Sequence, residues 1–330
     1  MRMRLLAGDI GGTKVLLQLA DFEHGKFRVL AEQRFASAAY AGLAPMVREF
    51  LSSTNAKIVP DAACFGIAGP VEATPSGQRA RTTNLPWVIE TDRLKTELGM
   101  PRIRLINDFQ AIGYAIDGLE PSELVTLQEG ERVAGAPAAV VGAGTGLGQA
   151  LLIWNGDHYE SMPTEGGHVD FAPTDELQVE LLRSLTGRYE RVSYERILSG
   201  AGLMSLYGFF RSRAGTDEKA SGECDSPAAV SAAGLSGRDP AAVSALHLFV
   251  FIYGSHAGNV ALSYLARGGV YIAGGIAPKI LPALQDGTFM QAFADKGRMR
   301  VLTERFPVRV VTNEKAGLLG AALAASRLPE

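Results

Sequence analysis

The chain has 330 residues, 47% hydrophobic and 20% charged, with a formal net charge of -3. That length holds two domains or one large one, and the composition is that of an ordinary globular protein. The charge balance gives no electrostatic reason for a nucleic-acid or membrane partner. The two cysteines, Cys64 and Cys224, supply neither a disulfide framework nor a zinc-finger pattern.

After Met-Arg-Met-Arg, the apolar run 5–8 is too short for a signal-peptide core, and a cytoplasmic protein is expected. Residues 5–8, 15–20 and 27–35 read as strands in a meander, interrupted after the first by Gly11-Gly12. Leu43, Val47, Phe50 and Leu51 recur at helical spacing, predicting a helix over 43–52. Residues 62–68 form a buried strand, 72–84 a polar hairpin, and 91–99 a helix closed by Gly99. A strand over 103–106 then delivers Asn107-Asp108 to a helix over 109–116. A meander followed by β-α-β units predicts an α/β protein with mixed sheets and helices on them.

A second unit begins near residue 120. Strand 138–142, the glycine-rich run 142–148 and strand 149–154 echo the strand-turn-strand at the start, a weak internal repeat that suggests two related domains. Helices follow at 175–186, 194–198 and 203–213. Residues 214–239 are small and polar, a surface excursion or loose helix with no assigned role. Residues 240–266 contain no Asp, Glu, Lys or Arg and are long enough to span a bilayer. The run also holds His247, His256 and Asn259, and a helix buried by the protein itself fits it better. A strand from 269 ends in Gly274-Gly275, 308–311 is the last strand, and 316–327 a terminal helix.

Three glycine turns therefore follow strands: Gly11-Gly12, Gly142 to Gly148, and Gly274-Gly275. Glycine there permits positive φ and close approach of backbone to a ligand, and successive N–H groups make a nest for phosphate; plain tight turns have the same composition. The P-loop pattern is absent. Glycines at 142, 144, 146 and 148, with a strand following, fail the dinucleotide-binding fingerprint in spacing and context. Thr13 and Thr145 could each add a hydroxyl donor to a phosphate oxygen. Asp108, at a strand exit, sits where open α/β sheets hold ligands and equally where a helix N-cap sits.

Asp9-Ile-Gly-Gly-Thr, Gly142-Ala-Gly-Thr-Gly-Leu-Gly and Ala273-Gly-Gly-Ile276 resemble the two phosphate motifs and the adenosine motif of the sugar kinase/Hsp70/actin superfamily. Ile106-Asn-Asp-Phe109, Glu165-Gly-Gly-His-Val-Asp-Phe-Ala-Pro173 and Glu195-Arg-Ile-Leu-Ser-Gly200 resemble, more narrowly, the bacterial ATP-dependent glucokinase family, in order along nearly the whole chain. The resemblance implies a two-domain actin-like ATPase (ribonuclease H-like) fold. It divides the chain into a small domain of residues 1–118 with 311–330 and a large one of 119–310, with the active site in the cleft that sugar closes. It implies Asp108 as catalytic base and Asn84, Asn107, Glu165, His168 and Glu195 as ligands of the sugar hydroxyls. Asp9, Gly11, Gly12, Thr13, Lys14, Gly142, Gly144, Thr145, Gly146, Gly274 and Gly275 would hold the nucleotide.

The implied reaction is transfer of the ATP γ-phosphoryl group to the 6-hydroxyl of glucose, with Mg²⁺ as cofactor. No metal ligand is direct: Mg²⁺ would ride on ATP, with Asp9 reaching it through water or serving its own turn. Glucose and ATP are the expected partners, with no nucleic acid or membrane; the oligomeric state stays open, a homodimer being the candidate assembly. Lys14 stands where the family commonly has Asn, Ala201 where it has Pro, and Thr164 where it has a smaller residue; none removes a reacting group. The Cys-rich zinc motif of repressor/kinase relatives is absent, which disfavours a DNA-binding repressor. Another hexose (fructose, mannose, glucosamine), a non-catalytic sugar-binding regulator, and a metal cluster of Glu165, His168 and Asp170 are the competing readings.

Overall fold

The computed structural model describes residues 2–54, 59–82, 85–215 and 224–329. Asn84, expected near the sugar, lies outside the described residues, as does part of the 214–239 excursion. The chain divides into two compact units, one of Met1–Glu120, His158–Pro163 and Asn313–Glu330, the other of Pro121–Asp157 and Thr164–Thr312.

The first unit opens with strands β1 (Met3–Ile10), β2 (Lys14–Glu23) and β3 (Lys26–Ala36), then helix α1 (Leu43–Ser53) and the fully buried β4 (Ala62–Ile67). Three short strands, β5 (Val71–Thr74), β6 (Gly77–Arg81) and β7 (Val88–Glu90), form a separate sheet. Helix α2 (Thr91–Leu98), β8 (Ile103–Asn107) and α3 (Asp108–Ala115) follow. The main sheet has the order β3-β2-β1-β4-β8, antiparallel through the opening meander and parallel from β1 to β8. Side chains alternate along β1 as a two-sided strand requires. Leu6 and Ile10 join a core with Met46, Val47 and Phe50 of α1, while Leu5 and Ala7 face Tyr114 of α3 and the C-terminal helix. That helix, α11 (Ala316–Ser326), crosses α3 so closely that any Cβ on Gly320 would strike the Ala111 carbonyl.

The second unit opens with β9 (Leu124–Gln128), β10 (Ala138–Ala143) and β11 (Leu147–Trp154); strand β12 (Tyr159–Thr164), next in the chain, belongs to the first unit up to Pro163. Helices α4 (Glu176–Thr186), α5 (Gly200–Arg213), α6 (Pro227–Ser236) and α7 (Pro240–Tyr264) come next. The chain then runs through β13 (Gly269–Ala273), the short helices α8 (Leu281–Gln285), α9 (Thr288–Ala294) and α10 (Arg300–Thr303), and β14 (Val308–Val311). The strands β11-β10-β13-β14-β9 are ordered side by side: β10, β13 and β14 parallel, β11 and β9 antiparallel at the flanks. Helix α7 is long and apolar enough to cross a membrane, yet most of its residues are buried in this unit's core.

Three expectations change. The segment 194–198 forms a single 3-10 turn, Tyr194–Arg196, rather than an α-helix. The excursion contains a regular helix, α6, started by the Ser226 hydroxyl, which accepts from Ala229 N–H, and ended by Gly237 at φ 71°. The glycine run 142–148 is mostly strand: Gly142 and Gly148 pair across β10 and β11, leaving Gly144, Thr145 and Gly146 as the turn.

Candidate active site

Parallel pairing brings the carboxyl ends of β1, β4 and β8 to one edge of the first unit's sheet. Asp9, Gly66 and Ile106 stand side by side in register, and two strand spacings separate the outer pair by about 10 Å. Asn107 and Asp108 follow directly. The sequence left Asp108 as a possible cap, but the structure gives that task to Asn107. Its Oδ1 accepts from Phe109 N–H at 2.9 Å and Gln110 N–H at 3.3 Å, and Gln110 Oε1 accepts from Asn107 N–H at 3.3 Å. This reciprocal capping box leaves Asp108 as the first helical residue, where a carboxylate is favoured by the helix dipole. Asn107 Nδ2 also donates to the Gly69 carbonyl at 3.3 Å, and Gln110 Nε2 to the Ser161 carbonyl at 2.7 Å. The strand exit is thus held at both ends of the cap, and the Asp108 side chain projects from a fixed backbone.

The first glycine turn closes beside Asp9. Gly11 N–H donates to the Lys14 carbonyl at 3.0 Å, and the buried Ser37 ties the turn down, its hydroxyl donating to the Gly11 carbonyl at 2.9 Å. Thr13 and Lys14 are exposed. Loss of solvation raises the Asp9 carboxyl above its usual range, and the Lys14 ammonium offsets this only in part. Gly317 of α11 packs against this carboxylate; a Cβ there would stand 3.7 Å from its Cγ. A carboxylate short of solvent and of full charge compensation fits a place beside a hydrated cation. Among the described residues no group of three His, Cys, Asp or Glu could hold a metal.

In the second unit, a carboxylate–imidazole–carboxylate row forms. His168 Nε2 lies 3.8 Å from Glu165 Oε2, and His168 Nδ1 lies 3.7 Å from Glu195 Oε1. Backbone bonds between 169–171 and 192–194, including the Asp170–Ser193 bridge, bring these sequence-distant groups together. Asp170 does not join them, because Arg191 Nε holds its carboxylate at 2.6 Å. The Glu165, His168, Asp170 metal cluster is therefore not assembled.

The same row touches the second glycine turn. Leu147 N–H donates to Glu195 Oε2 at 3.1 Å, and Gly200 N–H donates to the Gly144 carbonyl at 2.9 Å. A Cβ on Gly146 would lie 2.5 Å from Glu195 Oε2, so the glycine is there for space. The third turn abuts the second: Ile276 N–H donates to the Ala143 carbonyl at 3.2 Å, and Gly274, at φ 84°, would drive a Cβ to 2.5 Å from that carbonyl oxygen. Gly274 alone among the candidate phosphate and adenosine glycines has positive φ. Of the two uses of glycine open to these turns, positive φ is taken up at Gly274, whereas Gly146 is needed for close approach. Tyr253, fully buried on α7, accepts from Ala143 N–H at 3.1 Å and donates to the Val141 carbonyl at 3.2 Å, bracing the strand that feeds this corner.

Several supporting residues left no sequence signal, because each acts across a long loop: Ser37, Gln149 and Tyr253. Thr164 was visible as a departure from the family pattern. Its hydroxyl donates to the Gln149 carbonyl at 3.2 Å and accepts from Gly166 N–H at 3.2 Å.

The family model described as Glucokinase matches residues 6–328. A glucokinase of Nostoc sp. is 45% identical over 98% of this chain and 99% of its own length. Among solved structures, a glucokinase from an Antarctic psychrotroph superposes with a TM-score of 0.86 at 31% identity, covering 98% of each chain. A ROK family glucokinase from Streptomyces griseus, in complex with glucose and AMPPNP, shares the fold, with a TM-score of 0.64 at 19% identity over 98% of this chain and 99% of that one. The fold is that of the actin-like ATPases, and the chain belongs to the glucokinase family.

Proposed function

We propose that this chain is a glucokinase: it transfers the γ-phosphoryl group of ATP to the 6-hydroxyl of glucose, giving glucose 6-phosphate and ADP, the entry step of glycolysis in the cytoplasm. The observation that carries the reading is the row Glu165, His168, Glu195, joined through Leu147 N–H to a strand-turn-strand phosphate hairpin. Carboxylates and an imidazole supply paired acceptors and donors for sugar hydroxyls. A site that pairs each hydroxyl rejects epimers by leaving buried groups unpaired.

In this reading Asp108 accepts the proton of the 6-hydroxyl as its oxygen attacks phosphorus, and Asn107 Nδ2 with Glu165, His168 and Glu195 orients the ring. Phosphoryl transfer asks for positioning and charge neutralisation more than for covalent chemistry. The turns at Gly11–Thr13 and Gly144–Gly146 offer backbone N–H groups and threonine hydroxyls to phosphate oxygens, and Gly274-Gly275 leaves room for the nucleoside. Mg²⁺, when bound with ATP, neutralises charge on the β- and γ-phosphates, and Asp9 would hold its water shell. The test is ADP release over a panel of glucose, fructose, mannose and glucosamine with purified protein. Turnover highest in kcat/KM with glucose is expected; glucose binding without turnover of any hexose would leave a sugar-binding regulator.

A further inference from the structure

Gln149 lies on β11 beneath the turn Glu165–His168, and neither the mechanism above nor any motif uses its side chain. It is 5% exposed. Its Nε2 donates to the Tyr264 hydroxyl at the end of α7 at 2.8 Å, while its Oε1 is buried with no hydrogen-bond partner. The amide lies flat against the sugar-side turn: a Cβ built on Gly166 would fall 2.5 Å from Oε1 and 2.6 Å from both Cδ and Nε2. Its backbone carbonyl accepts from Thr164 Oγ1, which in turn accepts from Gly166 N–H. Two residues earlier on the same strand, Leu147 N–H holds Glu195. One strand segment thus holds the Glu195 carboxylate and the backbone of the turn that carries Glu165. A buried amide with one unsatisfied acceptor is costly, and such a cost persists in a fold where the geometry it fixes is used.

We propose that Gln149 is a positioning residue for sugar recognition: clamped by Tyr264, its amide sets the height of the Glu165-Gly-Gly-His168 turn and so the reach of Glu165 and His168 to the sugar. This rests on the glucokinase reading. The residue touches no substrate; its amide acts through Gly166, and its effect belongs to sugar binding, not to phosphoryl transfer.

Steady-state kinetics of Gln149→Met, Tyr264→Phe, Gly166→Ala and the double variant Gly166→Ala/Gln149→Ala test it. Gln149→Met is expected to raise the glucose KM on the order of tenfold, the scale of one lost hydrogen bond, with kcat and the ATP KM within about twofold of wild type. Tyr264→Phe should raise glucose KM less and add nothing to Gln149→Met, as residues in one chain of contacts behave. Gly166→Ala should raise glucose KM by forcing the turn off the amide, and truncation of Gln149 in the double variant should recover much of it. An unshifted glucose KM in Gln149→Met, an equal rise in ATP KM, or a double variant worse than both singles would overturn the inference. Wild-type protein in the same assay separates the two levels: no turnover of glucose removes the parent reading, whereas normal wild-type turnover with an unshifted Gln149→Met removes only this one.

Discussion

The two units use one strand plan for different work. β2-β1-β4-β8 in the first and β11-β10-β13-β14 in the second are each an antiparallel hairpin followed by two parallel strands. In both, the hairpin turn is short and glycine-rich. Beyond the turns they diverge. The first unit spends its strand ends on Asp9 and on Asn107-Asp108, acids at the sheet edge. The second ends β13 in glycines that press against its own hairpin and brings its acids, Glu165 and Glu195, from irregular segments far away in sequence. The shared plan supplies a short glycine-rich turn in each unit; the candidate reacting and recognising groups come from what each unit adds to it.

The largest expected effect breaks that division on the first unit's side. Asp108→Ala should lower kcat by on the order of 10²–10⁴ while glucose and nucleotide binding, read by calorimetry, stay near wild type. A kcat within tenfold of wild type would remove Asp108 from the base role. On the second unit's side, Glu195→Gln keeps size and loses charge, and should raise the glucose KM by roughly 10- to 100-fold, the range for a hydrogen bond to a charged group. Because Glu195 also anchors Leu147, its ATP KM should rise as well, and a shift confined to glucose would argue that the hairpin does not need it.

Asp9 gives a prediction with opposite signs for stability and activity. Its folded pKa is raised, so the folded state binds protons more readily than the unfolded one, and its contribution to stability falls as pH rises through that range. Asp9→Asn without nucleotide should therefore melt higher than wild type at pH 7, with the gain shrinking toward pH 4, and should lose turnover with MgATP. Equal melting at both pH values would show that the carboxylate is not strained by its surroundings. Asn107→Ala, which deletes the cap, should cost about 1 kcal/mol in chemical denaturation, whereas Asn107→Asp should keep most of it.

The effect smallest in its bearing on catalysis belongs to the second unit's core. His256 is buried against Tyr194, ring centroids 4.2 Å apart, with neither ring nitrogen hydrogen-bonded; burial and then Lys296 depress its pKa to about 4. A histidine with a depressed pKa adds stability above its unfolded value, lost as pH falls from about 6.5 toward 4. His256→Phe should remove on the order of 2 kcal/mol of acid sensitivity near pH 4.5 and leave glucose kinetics at pH 7.5 little changed. Denaturation curves at pH 7.5 and 4.5 decide it.

Much of this was legible in the chain itself. Alternation and glycine punctuation gave the β1–β2 meander, β4, β8, the β10–β11 hairpin and the apolar α7, because local periodicity and turn chemistry follow from covalent geometry. Motifs spaced along the chain named Asp108, Glu165, His168 and Glu195. Tertiary structure decided the rest. Which of Asn107 and Asp108 caps α3 depended on one residue's difference in where the strand ends. Whether Asp170 joins the acids depended on Arg191 reaching it. That Glu195 accepts from Leu147 N–H at the β10–β11 turn, and that the Gln149 amide lies against Gly166, rests on contacts between residues far apart in sequence, which no local pattern encodes. Asp108 could be named from its neighbours in the sequence, but only the folded strand exit decides that Asn107 caps α3 while Asp108, the first helical residue, accepts from Phe109 N–H at 2.9 Å.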